Sequence, residues 1–153
     1  MASTVKDTNK IPELIKQLRS LKKYKTRIGI EAPSGDRLYM IGYVHEFGFD
    51  ITVTDAMRGW FLANGMPLRS DTTKIRIPEK AYFRSGFDRN KSKIEQKMLD
   101  LAGDIVGRKK TAFQAREELG DYASGFIKAS IDDVQLIESG KLRESIGHRV
   151  MRK

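Results

Sequence analysis

Cysteine is absent from the chain, so disulfides and thiolate metal sites are excluded at the outset. Histidine is almost absent: only His45 and His148 occur, too few for a histidine-rich metal centre. No apolar run approaches the roughly 18 residues of a membrane-spanning helix, and no membrane partner is expected. The opening residues, Met1-Ala2-Ser3-Thr4-Val5-Lys6-Asp7, lack the apolar core of a secretory signal. A protein that matures in reducing cytosol fits these absences.

Catalytic signatures are missing as well. There is no Gly-x-Ser-x-Gly elbow, no thiol, and no histidine beside a serine. Gly29, Gly35, Gly42 and Gly48 form no phosphate-cradling loop, and no Gly-Lys-Ser/Thr follows a strand. Glu117-Glu118 and Asp132-Asp133 are adjacent acids, which a helix points to different faces, so neither pair makes an acid/base couple. His45-Glu46 would need a second histidine at position 49 to grip zinc, and Phe49 stands there. The expectation is a protein that is not an enzyme and that carries no cofactor or metal.

Positive charge is what the chain has in excess. The net charge is +9, with 32% charged and 39% hydrophobic residues. Arg19, Lys22, Lys23, Lys25 and Arg27 form one cluster, Arg108-Lys109-Lys110 a second, and Arg143, Arg149, Arg152 and Lys153 a third. Such a surplus suits nucleic acid or an acidic protein surface, or serves only as a solvated face that maintains solubility. Aromatics are not interleaved with the basic runs, as base stacking would require. With 153 residues the chain fits one domain, 1–153, with positions 1–9 loose, able to bury about two thirds of its unfolded surface.

Periodicity gives the elements. Ile11, Leu14, Ile15, Leu18 and Leu21 follow helical spacing, with Pro12 suited to a first turn and an end near Tyr24. Lys25 to Ala32 alternates as a strand until the turn cluster Pro33-Ser34-Gly35-Asp36. Leu38 to Phe47 reads as a helix closed by Gly48, and Phe49 to Thr54 as a strand. Thr54 or Asp55 caps a short helix that stops at Asn64-Gly65. Asp71 to Ile77 is a third strand, and Pro78 marks a strand-to-helix switch in which proline occupies a first helical turn. Tyr82, Phe83 and Phe87 are expected in the core. Ile94, Met98, Leu101, Ala102, Ile105 and Val106 outline a helix over about 92–106. A second long helix has Phe113, Leu119, Tyr122, Ala123, Phe126 and Ile127 inward and ends at Asp132-Asp133; a helical turn then leads into a last strand. The class is α+β: a small, mainly antiparallel sheet packed against an amino-terminal helix and two long carboxy-terminal helices. Glu46, in the last turn of its helix, meets the unfavourable end of the helix dipole and calls for a basic or backbone N–H partner, with Arg76 or Arg84 as candidates.

Three segments carry a family resemblance: Val44-His45-Glu46-Phe47-Gly48; Ile75-Arg76-Ile77-Pro78-Glu79-Lys80-Ala81-Tyr82-Phe83-Arg84; and Glu138-Ser139-Gly140-Lys141-Leu142-Arg143-Glu144-Ser145-Ile146. Their order and spacing over roughly 25–150 resemble the tail-component, or virion-morphogenesis, proteins of tailed bacteriophages. Lys80 stands where arginine is usual and Ala81 where proline is frequent, so an arginine fork to a carboxylate is expected to be lost at position 80. The resemblance implies a structural virion protein, a neck or tail-completion subunit that joins the tail to the DNA-filled head. It implies a homo-oligomeric ring, often of six copies, between portal-side head-connector proteins and tail-tube or tail-terminator proteins. Its place would be the virion neck, assembled in the host bacterial cytoplasm, with channel DNA as a further contact. The alternative is a basic nucleic-acid-binding protein acting outside the neck.

Overall fold

A computed structural model of the chain describes residues 9–31, 37–136 and 140–152. Along the chain run α1 (Ile11–Leu21), β1 (Tyr24–Ile30), α2 (Arg37–Phe47), β2 (Phe49–Thr52), α3 (Asp55–Ala63) and β3 (Lys74–Ile77). Then follow α4 (Tyr82–Asp88), α5 (Lys91–Val106), α6 (Ala112–Asp133), α7 (Lys141–Ser145) and β4 (Ile146–Arg152). The expected turn at Pro33-Ser34-Gly35-Asp36, positions 1–8, and Glu138-Ser139 of the closing segment lie outside the described residues.

The fold is α+β, and its antiparallel strands form two separate two-stranded ladders, β1 with β4 and β2 with β3. Local signals account for most boundaries. Pro sits in the first turn of α1. Thr54 caps α3 by accepting from Met57 N, and Thr111 forms a capping box with Gln114 at the start of α6. No helix among the described residues is long and apolar enough to cross a membrane.

α6 is the centre of the domain. Its Ile127 and Ile131 are fully buried and pack with Tyr82 of α4, Leu142 of α7 and Ile146 of β4. Ile28 and Ile30 of β1 close this core from the sheet side. A second cluster joins Leu101 and Ile105 of α5 to Ala115 of α6, with Leu21 of α1 at its edge. The β1–β4 ladder therefore has two unlike sides. Thr26, Ile28, Ile30 and Ile146 face α6, and Thr26 Oγ1 donates to the Arg116 carbonyl. Lys25, Arg27 and Arg149 are exposed on the other side.

Several expectations need correction. Phe113 and Tyr122 are exposed rather than inward, as are Met98 and Val106 of α5. Elements pack on α6 along much of its length, so small residues (Ala115, Gly120, Ala123, Ser124) occupy its buried positions and the rings move to the rim. Phe113 there meets Tyr24 edge-on, and Tyr122 meets Phe126. Phe87 is exposed while Tyr82 is buried. Pro78 does not open a helix: positions 78–80 are irregular, and α4 starts only at Tyr82 as a helix separate from α5.

Candidate functional site

The amino-terminal and central motif segments meet at one junction. Gly48 ends α2 with φ +71°, a conformation that side chains disfavour. A Cβ at that position would lie 3.0 Å from Glu79 N and 3.2 Å from the Ile77 carbonyl, so positions 77–79 cross the helix end at contact distance. Lys80 N donates to the His45 carbonyl at 2.8 Å, and Ile77 stands opposite Phe49 in the β2–β3 register.

Glu46 is the buried acid of this junction, only 6% exposed. Its carboxylate accepts from Phe83 N at 2.8 Å, Arg84 N at 3.1 Å and Arg84 Nε at 2.8 Å. The partner is thus Arg84, with Arg76 instead exposed opposite Asp50 in the β2–β3 ladder. Arg84 also donates to the Glu46 carbonyl at 3.0 Å and to the Glu79 carboxylate, and its guanidinium lies over the Phe47 ring at 5.1 Å. The acid that ends α2 caps the start of α4, where the helix dipole favours negative charge. This explains the late start of α4: its first turn is fixed by a carboxylate from another helix, not by Pro78.

The junction shifts its titratable groups. Hydrogen bonds to Glu46 and then Glu79 raise Arg84 further above its ordinary value. Burial, followed by the Glu46 charge, pushes Tyr82 up to about 12. Burial, followed by the Lys80 charge, lowers His45, whose Nδ1 is buried without a hydrogen-bond partner among the described residues. Because folding disfavours the imidazolium, the unfolded chain binds this proton first as pH falls. Stability is therefore expected to drop from about pH 6.5 downwards, with the His45 contribution intact above that value. Chemical denaturation at successive pH values measures this, and His45→Gln should flatten the decline.

The two positions that depart from the motifs this sequence resembles, Lys80 and Ala81, have a geometric counterpart. Lys80 is exposed and makes no fork; Arg84 holds the carboxylate in its place. Ala81 has φ +47°, a left-handed conformation closed to proline. The closing segment joins from the core side. Leu142 and Ile146 pack with Tyr82, and Ser145 Oγ donates to the Leu142 carbonyl after Gly140 has turned the chain. His45, Glu46, Phe83 and Arg84 thus share one junction, Leu142 and Ile146 lie in the core beneath it, and Pro78 and Lys80 face solvent.

Outward of this junction, α2 presents Tyr39, Met40, Tyr43 and Phe47, all exposed. Tyr43 and Phe47 pair with ring centroids 4.8 Å apart. They border an apolar depression of about 300 Å³ with Tyr82 and Phe83 among its lining residues. From the same junction projects an arm, β2–α3–β3, in which no residue from 47 to 81 is buried. Trp60, Leu62 and Met66 are exposed on it. Arg58 holds the arm's return loop, donating to the carbonyls of Arg69, Ser70 and Thr72 at 2.9, 3.4 and 2.5 Å. Sequence reasoning assigned Arg58 no role; an arginine beside a long polar loop was the one signal available.

The adjacent acids separate as helical geometry requires. Glu117 meets His148 at 3.0 Å while Glu118 takes Lys97 at 2.6 Å and Lys110 at 2.5 Å. Lys110, then Lys97, holds the Glu118 carboxyl below its usual range. Among the described residues no group of His, Asp and Glu gathers to hold a metal ion. Exposed apolar side chains on α2 and on the arm thus flank the junction. No protein-family model, curated protein or solved structure matches the chain.

Proposed function

We propose that the chain is a neck or tail-completion subunit of a tailed bacteriophage, joining tail to DNA-filled head by assembling into a ring in the virion. One observation carries this reading: the outward face of α2 and the arm each leave large apolar side chains uncovered, Tyr39, Met40, Tyr43 and Phe47 on the one and Trp60, Leu62 and Met66 on the other, and the two sets differ. Surfaces of that kind suit a heterologous contact, in which the arm of one copy lies on α2 of the next, and such contacts form a ring when the rotation between copies closes. The motif order seen in the sequence supports the same assignment. Head-connector and tail-tube proteins would then meet the two faces of the ring.

Native mass measurement and electron microscopy test it. Wild type is expected as a closed ring, six copies by the resemblance. Trp60→Asp on the arm and Tyr43→Asp on α2 are each expected to give folded monomers. Mixing these two variants should restore one competent contact and yield a dimer without closing the ring. Wild type that stays monomeric at high concentration would overturn the proposal. The alternative, a basic nucleic-acid-binding protein acting outside the neck, draws on the exposed cations around β1 and requires the monomer to be the functional form.

A further inference from the structure

The three basic clusters of the sequence differ in how far the fold neutralises them. In the second, Lys109 reaches Asp104 at 3.8 Å, and Lys110 reaches Asp104 at 3.1 Å and Glu118 at 2.5 Å. In the third, Arg143 pairs with Asp132 at 3.0 Å. In the first, none of Arg19, Lys22, Lys23, Lys25 and Arg27 has an ion pair among the described residues. All five are exposed, at the end of α1 and along the start of β1.

The ladder then extends this cluster. Arg27 stands directly opposite Arg149, and Gly29 opposite Gly147. Like charges directly across a strand pair repel, so this face carries an internal cost that an anion would relieve. One carboxylate is at hand: Glu31 binds Arg149 at 2.7 Å. A depression of about 430 Å³ lies here, bordered by Arg27, Glu31, Tyr39 and Arg149. Gly29 leaves its side of the depression open, whereas the Glu31 side chain lies over Gly147, its Cγ 2.8 Å from where a Cβ would stand, so among the described residues Glu31 is the one group an incoming polyanion has to displace.

We infer that the outward face of the β1–β4 ladder, continued by Lys22 and Lys23, binds the phosphate backbone of duplex nucleic acid. Lys25 and Arg27 project from one face of an extended strand, about 6.7 Å apart, which lines cations along a linear polyanion. A duplex offers one charge per about 1.7 Å of axis, twice the density of one strand. The cluster has no row of aromatics on which unstacked bases would lie, so phosphates are contacted and sequence is not read. Among the described residues, Ile30, Tyr39 and Met151 are the apolar side chains that border this depression, short of the broad apolar face with which an amphipathic element enters a lipid surface. The contact goes beyond ring assembly and is measured independently of it.

Fluorescence anisotropy with a duplex DNA of about 30 base pairs, titrated between about 50 and 200 mM salt, tests the assignment. Lys25→Ala/Arg27→Ala, at two exposed positions, should weaken binding about tenfold or more and lower the salt slope by about two. Glu31→Gln should strengthen binding several-fold, because it frees Arg149. Lys109→Ala/Lys110→Ala should change neither affinity nor slope. Unaltered binding by the Lys25/Arg27 variant, or equal weakening by the Lys109/Lys110 variant, would overturn it. So would binding of single-stranded DNA or phosphatidylserine vesicles as tight as that of duplex. Native mass recorded on the same samples separates this result from the fate of the ring.

Discussion

Glu46→Ala is expected to destabilise the protein by about 2–3 kcal/mol, measured as a fall in the denaturation midpoint with unchanged cooperativity. Three donors lose their acceptor together: Phe83 N, Arg84 N and Arg84 Nε. Removing one partner of a fully buried pair costs about 3–5 kcal/mol, but the Arg84 side chain is 49% exposed and regains water, so the lower figure applies. Glu46→Gln keeps an acceptor oxygen without its charge and should cost about 1 kcal/mol, since bonds to charged acceptors are roughly twice as strong. The order matters more than either value. Two variants equally close to wild type would show that the acid merely occupies space at the helix end.

Gly86→Val is expected to cost about 3 kcal/mol or more, the upper range of overpacking. A Cβ at Gly86 would sit 3.0 Å from Ile127 Cα, 3.0 Å from Ser130 Cβ and 3.1 Å from the Phe126 carbonyl. Two of these are backbone atoms of α6, which no rotamer change can move aside. α4 would have to lift off α6 and carry Tyr82, Phe83 and Arg84 with it. Gly86→Ala meets the same atoms but gains about 1 kcal/mol of helix propensity, so its net loss should be near 1 kcal/mol. Thermal unfolding of both variants checks the ratio, and a Val variant as stable as wild type would mean that this crossing has slack.

Local chemistry made much of the fold legible. Thr54, Gly48 and the alternation from Lys25 each fix an element through neighbours a few positions away; the two caps are found as read, and the strand expected over Lys25 to Ala32 runs Tyr24–Ile30, with Ala32 outside the described residues. Failures cluster where distant chain segments decide. Tyr122 reads as inward by period alone, but its position on α6 lies outside the faces covered by α4, β1 and β4. Pro78 suggests a helix start by local rule, whereas α4 waits for the Glu46 carboxylate from a helix that precedes it by two strands. At the junction, the need of Glu46 for a partner was legible from the helix dipole. The choice of Arg84 over Arg76 was not, because it depends on β3 turning Arg76 outward.

Arg58 gives the arm a property that its lack of core would otherwise deny. Segments with few buried contacts open locally at low free energy, and a limb that ordered only on docking would charge that entropy to the docking step. One guanidinium spanning three carbonyls of the return loop settles the arm's shape in the free subunit. The return loop is thereby restrained before encounter, so less ordering entropy falls on the proposed contact between copies.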